Sequence, residues 1–248
     1  LTASMALAAG VNINWVTNTA NQCSATVTSN MTWDCVGPTA NDGDLTFIVS
    51  VMPNVAVVGF NAIEFVIDGQ SDTALPAWWM SYNAGSCRES AFLPGVPPAV
   101  PTAPCAGTAT TRLFQGAAFG GMGLWAVGPA NRFRTVIGYA TAGDRTLPLL
   151  TTTQYNAMNM HVFTTNSLDV AADPDNFIDP VVACAGCTQP VTKVFQQCGL
   201  YGSGVGDTVI LPIPTTGRQS INWQGGGGPP IPVSTRNTTW GQVKSLYR

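Results

Sequence analysis

The 248-residue chain carries charge on only 9% of its residues, against the roughly one quarter usual for soluble domains; 45% are apolar, with 26 glycines and 18 prolines. Its net charge of -3 and ten scattered Lys and Arg residues form no basic stripe, which excludes an electrostatic nucleic-acid interface, and no apolar run approaches the roughly 18 residues of a membrane helix. The length admits one large all-β domain or two small ones. The sparse charge suits a secreted β-rich protein, or a subunit that hides much of its surface in an assembly.

The chain opens on "LTASMALAAG", where Ala6 to Ala8 form an A-x-A pattern like a signal-peptidase site. Residues 1–9 are read either as a first strand of their own domain or as a segment that packs on a neighbouring subunit. Alternation of apolar and polar residues then predicts strands at 10–15, 24–35, 44–52, 57–68, 131–140, 155–165, 190–201 and 220–225. Turn-forming stretches such as "GPTANDGD" and "ATAGDRT" separate them. About eight strands without βαβ alternation predict an all-β fold, a β-sandwich of jelly-roll type, with an immunoglobulin-like sandwich as the second choice.

Two long excursions interrupt the strands, a Pro-rich one at 92–111 and another at 200–219, and residues 1–225 read as a single domain with decorated loops. Residues 226–248 form a Gly/Pro-rich tail that ends in a short helix signal. Thr239 with Gln242 fits a capping box; Trp240, Val243 and Leu246 or Tyr247 share one face, and Lys244 and Arg248 lie near the carbonyl end. A helix this short needs a surface to dock on, its own sandwich or a neighbour.

Seven cysteines stand at Cys23, Cys35, Cys87, Cys105, Cys184, Cys187 and Cys198. Their spacing suggests the local pairs Cys23 with Cys35 and Cys87 with Cys105, the second stapling the Pro-rich excursion, and a third pair within Cys184, Cys187 and Cys198. Such pairs indicate an oxidising compartment. The "CAGC" at 184–187 lacks the second half-site that zinc needs and the βαβ context of a redox motif, so a disulfide is the better reading.

Chemistry has few footholds. The single histidine, His161, lies within an alternating strand, and no hydrolase, P-loop, dinucleotide or metalloprotease motif is present. The two glutamates, Glu64 and Glu89, are not spaced as a catalytic pair. Calcium is the more reasonable ion. Asp169, Asp173, Asp175 and Asp179, with Asn176, bring hard oxygen ligands into one loop, although Asp and Asn populate turns for backbone reasons as well. The "NDGD" at 41–44 reads best as a tight turn. Trp78, Trp79, Tyr82 and Trp125 are candidates for stacking on sugar faces or for covering by a partner. If 78–79 is extended, one tryptophan points inward and the other outward.

Four blocks carry a resemblance: "AGVNINW", "LPAWWMSYNAGSCRES", "CAGCTQPV" and "STRNTTWGQVKSLYR". Together they resemble a family of secreted bacterial proteins with L-P-x-W-W, Gly-x-Cys-Arg, C-x-G-C-x-x-P-V and terminal T-W-G-x-V-K-x-L-Y-R segments, to which no activity is attached. The cysteine that often follows Pro-Val in that family is replaced here by Thr192, with Cys198 as its candidate substitute, so the third disulfide stays open. The resemblance implies secretion. The combined expectation is a non-enzymatic, extracellular or cell-surface structural subunit of a filament or layer, self-associating through Trp78, Trp79, Tyr82, Trp125, Trp240, Val243, Leu246 and Tyr247. The alternative is a polysaccharide-binding module that calcium supports.

Overall fold

The computed structural model describes residues 10–16, 27–28, 30–37, 39–40, 42–81, 85–95, 111–114, 118–126, 130–143, 147–167, 184–202, 209–211 and 220–225. Thirteen strands follow in chain order: β1 (Gly10–Val16), β2 (Val27–Thr28), β3 (Asn30–Met31), β4 (Asp44–Met52), β5 (Phe60–Gln70), β6 (Phe92–Gly95), β7 (Thr111–Arg112), β8 (Ala118–Ala126), β9 (Arg132–Thr141), β10 (Tyr155–Phe163), β11 (Val191–Gly202), β12 (Val209–Leu211) and β13 (Ser220–Trp223). A six-stranded sheet has the order β2-β1-β4-β10-β6, with β7 also on β10. A seven-stranded sheet has the order β3-β13-β11-β5-β9-β8, with β12 also on β11.

One core cluster joins the two sheets, which is the all-β sandwich that alternation predicts: Ile13, Phe47 and Val49 from the first sheet meet Phe65, Ile67, Phe133 and Ile137 from the second. Strand order describes the winding better than a jelly-roll label. β4 pairs with β10 and β5 with β9 as nested antiparallel partners, whereas β1 lies beside β4 and β8 beside β9.

Four strands, β6, β7, β8 and β12, lie where the pattern reading expected none, and two of the expected strands are bounded differently. The single strand expected over 24–35 is two short pieces in different sheets, β2 antiparallel to β1 and β3 parallel to β13. It stops where the Asp34 carboxylate accepts the Val36 and Gly37 amides, an Asx turn that competes with the ladder. β5 begins at Phe60 rather than Val57, because Val57 bridges to Leu149 and Gly59 takes a φ of 62°, a left-handed conformation open to glycine.

The core is organised around tryptophan. Trp15, Trp78, Trp79 and Trp223 are fully buried, and Trp78 stacks on Trp223 at 4.9 Å between centroids and on Trp79, edge-on, at 4.7 Å. Three indole N–H groups have named acceptors: Trp15 donates to Asn222 O, Trp78 to Ser167 Oγ and Trp223 to Cys187 O. That satisfaction is what permits so much polar-edged aromatic surface in a dry core.

The disulfides overturn the local pairings. Cys35 bonds to Cys187, not Cys23, and Cys87 to Cys184, not Cys105; the Cα–Cα separations of 5.8 and 5.9 Å are ordinary for such bonds. Spacing along the chain misled because the turn at 184–187 comes back over the tryptophan cluster, where Trp223 donates to Cys187 O and Trp78 N–H donates to Ala185 O. Both cysteines of the "CAGC" are therefore used, each by a distant partner. Cys198 lies in β11 opposite Phe65, and Cys23 and Cys105 lie outside the described residues.

Candidate functional site

The "LPAWWM" segment is a turn of 3-10 helix, Ala77–Trp79, entered from Pro76 in an extended conformation. Three residues per turn place successive side chains about 120° apart, not on opposite faces, so both tryptophans enter the core. This corrects the expectation of one inward and one outward tryptophan, and it removes Trp78 and Trp79 as ligand or partner contacts. Arg88 closes the cluster from above. Itself 1% exposed, it lies 3.4 Å over the Trp78 ring and donates to Trp78 O at 2.9 Å and to Phe163 O. Burial pushes its pKa down to about 9, still well above neutral pH, so the buried group remains a cation. Its partners are a π face and two carbonyls, an architectural role.

Accessible chemistry lies instead on the outer face of the seven-stranded sheet. In β5 and β9, Ile63, Phe65, Ile67, Phe133, Ile137 and Tyr139 face the core, so Glu64, Val66 and Asp68, and Arg132, Arg134, Val136 and Gly138, face outward. At one end Asp68, fully buried, accepts Arg134 Nε at 2.8 Å and Nη2 at 3.0 Å, and also Arg132. The hydrogen bonds from Arg134 to Asp68 hold the Arg134 pKa above its usual value. The cluster of two cations and one anion ties β5 to β9.

Register places a second feature beside it. Gly121 of β8 pairs with Gly138 of β9, Gly138 with Glu64 of β5, and Glu64 with Gly199 of β11. One row across four strands therefore reads Gly, Gly, Glu, Gly. The next row on one side holds Phe119, Ala140, Ala62 and Tyr201, and Val136 and Val66 stand on the other side. The result is a trough that crosses the strands. From strand spacing and residue rise it is about 14 Å long, with wall rows about 14 Å apart; Gly199 at the β11 end is buried, so the open floor runs over Gly121, Gly138 and Glu64 for about 10 Å.

Two of the three glycines of this floor are not demanded by the chain. A Cβ at Gly121 or Gly138 meets nothing within 4 Å, and neither residue has a positive φ. Elsewhere the reason for glycine is plain: a Cβ at Gly69 would strike the Phe133 ring at 2.1 Å. Strand glycine costs about 0.5–1 kcal/mol relative to alanine, so its use where space is free marks a place that another body approaches closely. Glu64, half-buried between two glycines, is the ionisable group of the floor. Desolvation pushes its pKa up, partly offset by the Tyr201 hydroxyl, which donates to it at 3.5 Å. Phe119, at 62% exposure, stands clear at the β8 end.

The remaining predicted residues are scattered. Trp125 lies in β8, in register with Arg134, two residues beyond Gly123. Tyr82, Trp240, Val243, Leu246 and Tyr247, and the proposed calcium ligands Asp169, Asp173, Asp175 and Asp179, lie outside the described residues. Among the described residues no three His, Cys, Asp or Glu side chains gather as a metal site. His161 Nδ1 is 2.8 Å from Asp44 Oδ1 and its ring stacks on Phe163. Glu89 accepts the Gly85 amide within its own turn, away from Glu64. Sequence reasoning did not assign the trough, because Gly121, Gly138 and Gly199 become neighbours only through register; the clustered glycines of "FGGMG" were its one visible signal.

Fold and site together define an all-β, disulfide-bonded sandwich with an open, glycine-floored sheet face. The chain matches no protein-family model, no curated protein and no solved structure. Among the described residues no helix is long and apolar enough to cross a membrane.

Proposed function

We propose that the protein is a non-enzymatic structural subunit of an extracellular assembly, and that the outer face of the seven-stranded sheet is its contact surface. The observation that carries this reading is the pair Gly121 and Gly138 in the row that holds Glu64, where an added Cβ would meet nothing within 4 Å. Low charge reduces the desolvation cost of wide contacts, and the two disulfides together with the family resemblance support secretion. The saccharide-binding alternative is weakened because Trp78 and Trp79, its best stacking pair, are buried. Sedimentation velocity and negative-stain imaging of the oxidised chain test the proposal. Concentration-dependent association into a repeating species is expected; a chain that stays monomeric up to its solubility limit would sink it.

A further inference from the structure

We infer that the trough on the outer face of the seven-stranded sheet receives the segment 239–248 of a second copy of the chain, with Lys244 placed against Glu64. This rests on the assembly reading above and names the contact.

Three observations support this occupant. The first is charge. Residues 226–248 contain Arg236, Lys244 and Arg248 and no Asp or Glu, while all 13 Asp and Glu and seven of the ten Lys and Arg lie in the preceding 225 residues. The segment is thus cationic and the rest of the chain anionic. Beside the trough Asp68 is already held by Arg132 and Arg134, and Glu64 is the carboxylate on the floor itself that an incoming cation meets. The second is shape. The helix predicted from Thr239 onward has about ten residues, hence about 15 Å of length and a diameter of about 10–12 Å, which fits between the wall rows and lets about two turns rest on the open floor. Glycines beside Glu64 on the floor let a helix lie close to the sheet, as small residues do at close helix contacts.

The third observation is chemical order. On a helix, Trp240, Val243, Lys244 and Tyr247 share one face at i, i+3, i+4 and i+7, so the ammonium lies midway between two aromatic ends. The trough repeats that order, with Glu64 on its floor and Phe119 and Tyr201 in the wall toward opposite ends. A second copy is the donor that the assembly reading calls for, and Phe119 and Gly121 of the trough are exposed to it. The Gly/Pro linker 225–233 gives a reach of up to about 30 Å, enough to leave one sandwich for the next.

The test uses the 248-residue chain in sedimentation velocity, with thermal melts to confirm folding. E64K and K244E should each weaken self-association at least tenfold, and their equimolar mixture should restore it to within about threefold of the parent. Mixing restores the contact because the reversed trough of one variant meets the reversed segment of the other. G121V/G138V, which fills open space without touching a charge, should also weaken association at least tenfold while its melt stays like the parent's. If the parent associates but these variants do so equally well, or the mixture fails to recover, the inference falls and the assembly reading stands. A parent that stays monomeric removes both.

Discussion

Removal of one disulfide at a time separates the observed pairing from the one that cysteine spacing suggests. Cys35–Cys187 closes 152 residues and Cys87–Cys184 closes 97, so loop-closure entropy assigns them about 5 and about 4.7 kcal/mol when each acts alone. They are not independent. Once Cys35 and Cys187 are joined, the shorter path between Cys87 and Cys184 runs through only about 55 residues, and the second bond contributes about 4 kcal/mol. Local bonds from Cys23 to Cys35 and from Cys87 to Cys105 would contribute about 3 kcal/mol each. C35A/C187A and C87A/C184A should therefore each lower the urea midpoint by about 2 M, taking an m-value of about 2 kcal/mol/M. Non-reducing peptide maps of the parent should link 35 to 187 and 87 to 184. A map that links Cys35 to Cys23 or Cys87 to Cys105 would refute the pairing, and midpoint shifts below about 1 M would refute the entropy argument.

Four further outcomes follow from the packing. W79A removes a fully buried indole that packs on Phe92, Phe133 and Trp223 and should cost about 3–5 kcal/mol in chemical unfolding. R88A orphans the Trp78 and Phe163 carbonyls and strips the Trp78 face, so a loss of about 3 kcal/mol is expected from the same measurement. G120A drives a Cβ to 1.9 Å from the Gly138 carbonyl oxygen and should lower the melting temperature sharply, whereas G121A meets open space and should leave it equal or raise it slightly. Because burial raises the Glu64 pKa above its unfolded value, its contribution is fully present below the unfolded pKa and is lost as pH rises through the folded one. E64Q should therefore melt above the parent at pH 7 and together with it near pH 3, measured on the monomeric form.

Much of the fold was legible because alternation reports burial on one sheet face. β1, β4, β5, β9, β10, β11 and β13 lie near their expected places, since each carries an apolar residue at every second position over at least part of its length. β8 was missed for the reason that makes it interesting: Gly120, Gly121 and Gly123 remove the β-forming side chains that a pattern reading needs. The tryptophan pair was misread because a single turn of 3-10 helix after Pro76 replaces the two-residue period with a three-residue one. The cysteines misled because nearness in sequence was taken for nearness in space, while both real partners sit in the turn at 184–187. Glu64 was visible as a glutamate in a strand; its glycine neighbours on both sides became visible only with register.

The break between β2 and β3 has a further consequence. One short piece of chain supplies the outermost strand of both sheets among the described residues, with β2 covering Trp15 and Val16 of β1 and β3 covering Asn222 and Trp223 of β13. On the opposite side β6 is four residues long and contains Pro94, which blunts it as a template. β8, nine residues long and paired only with β9 among the described residues, is left as the long open edge. An aggregating strand would be templated there, and a charged residue placed on β8 is the natural guard for keeping the purified protein soluble.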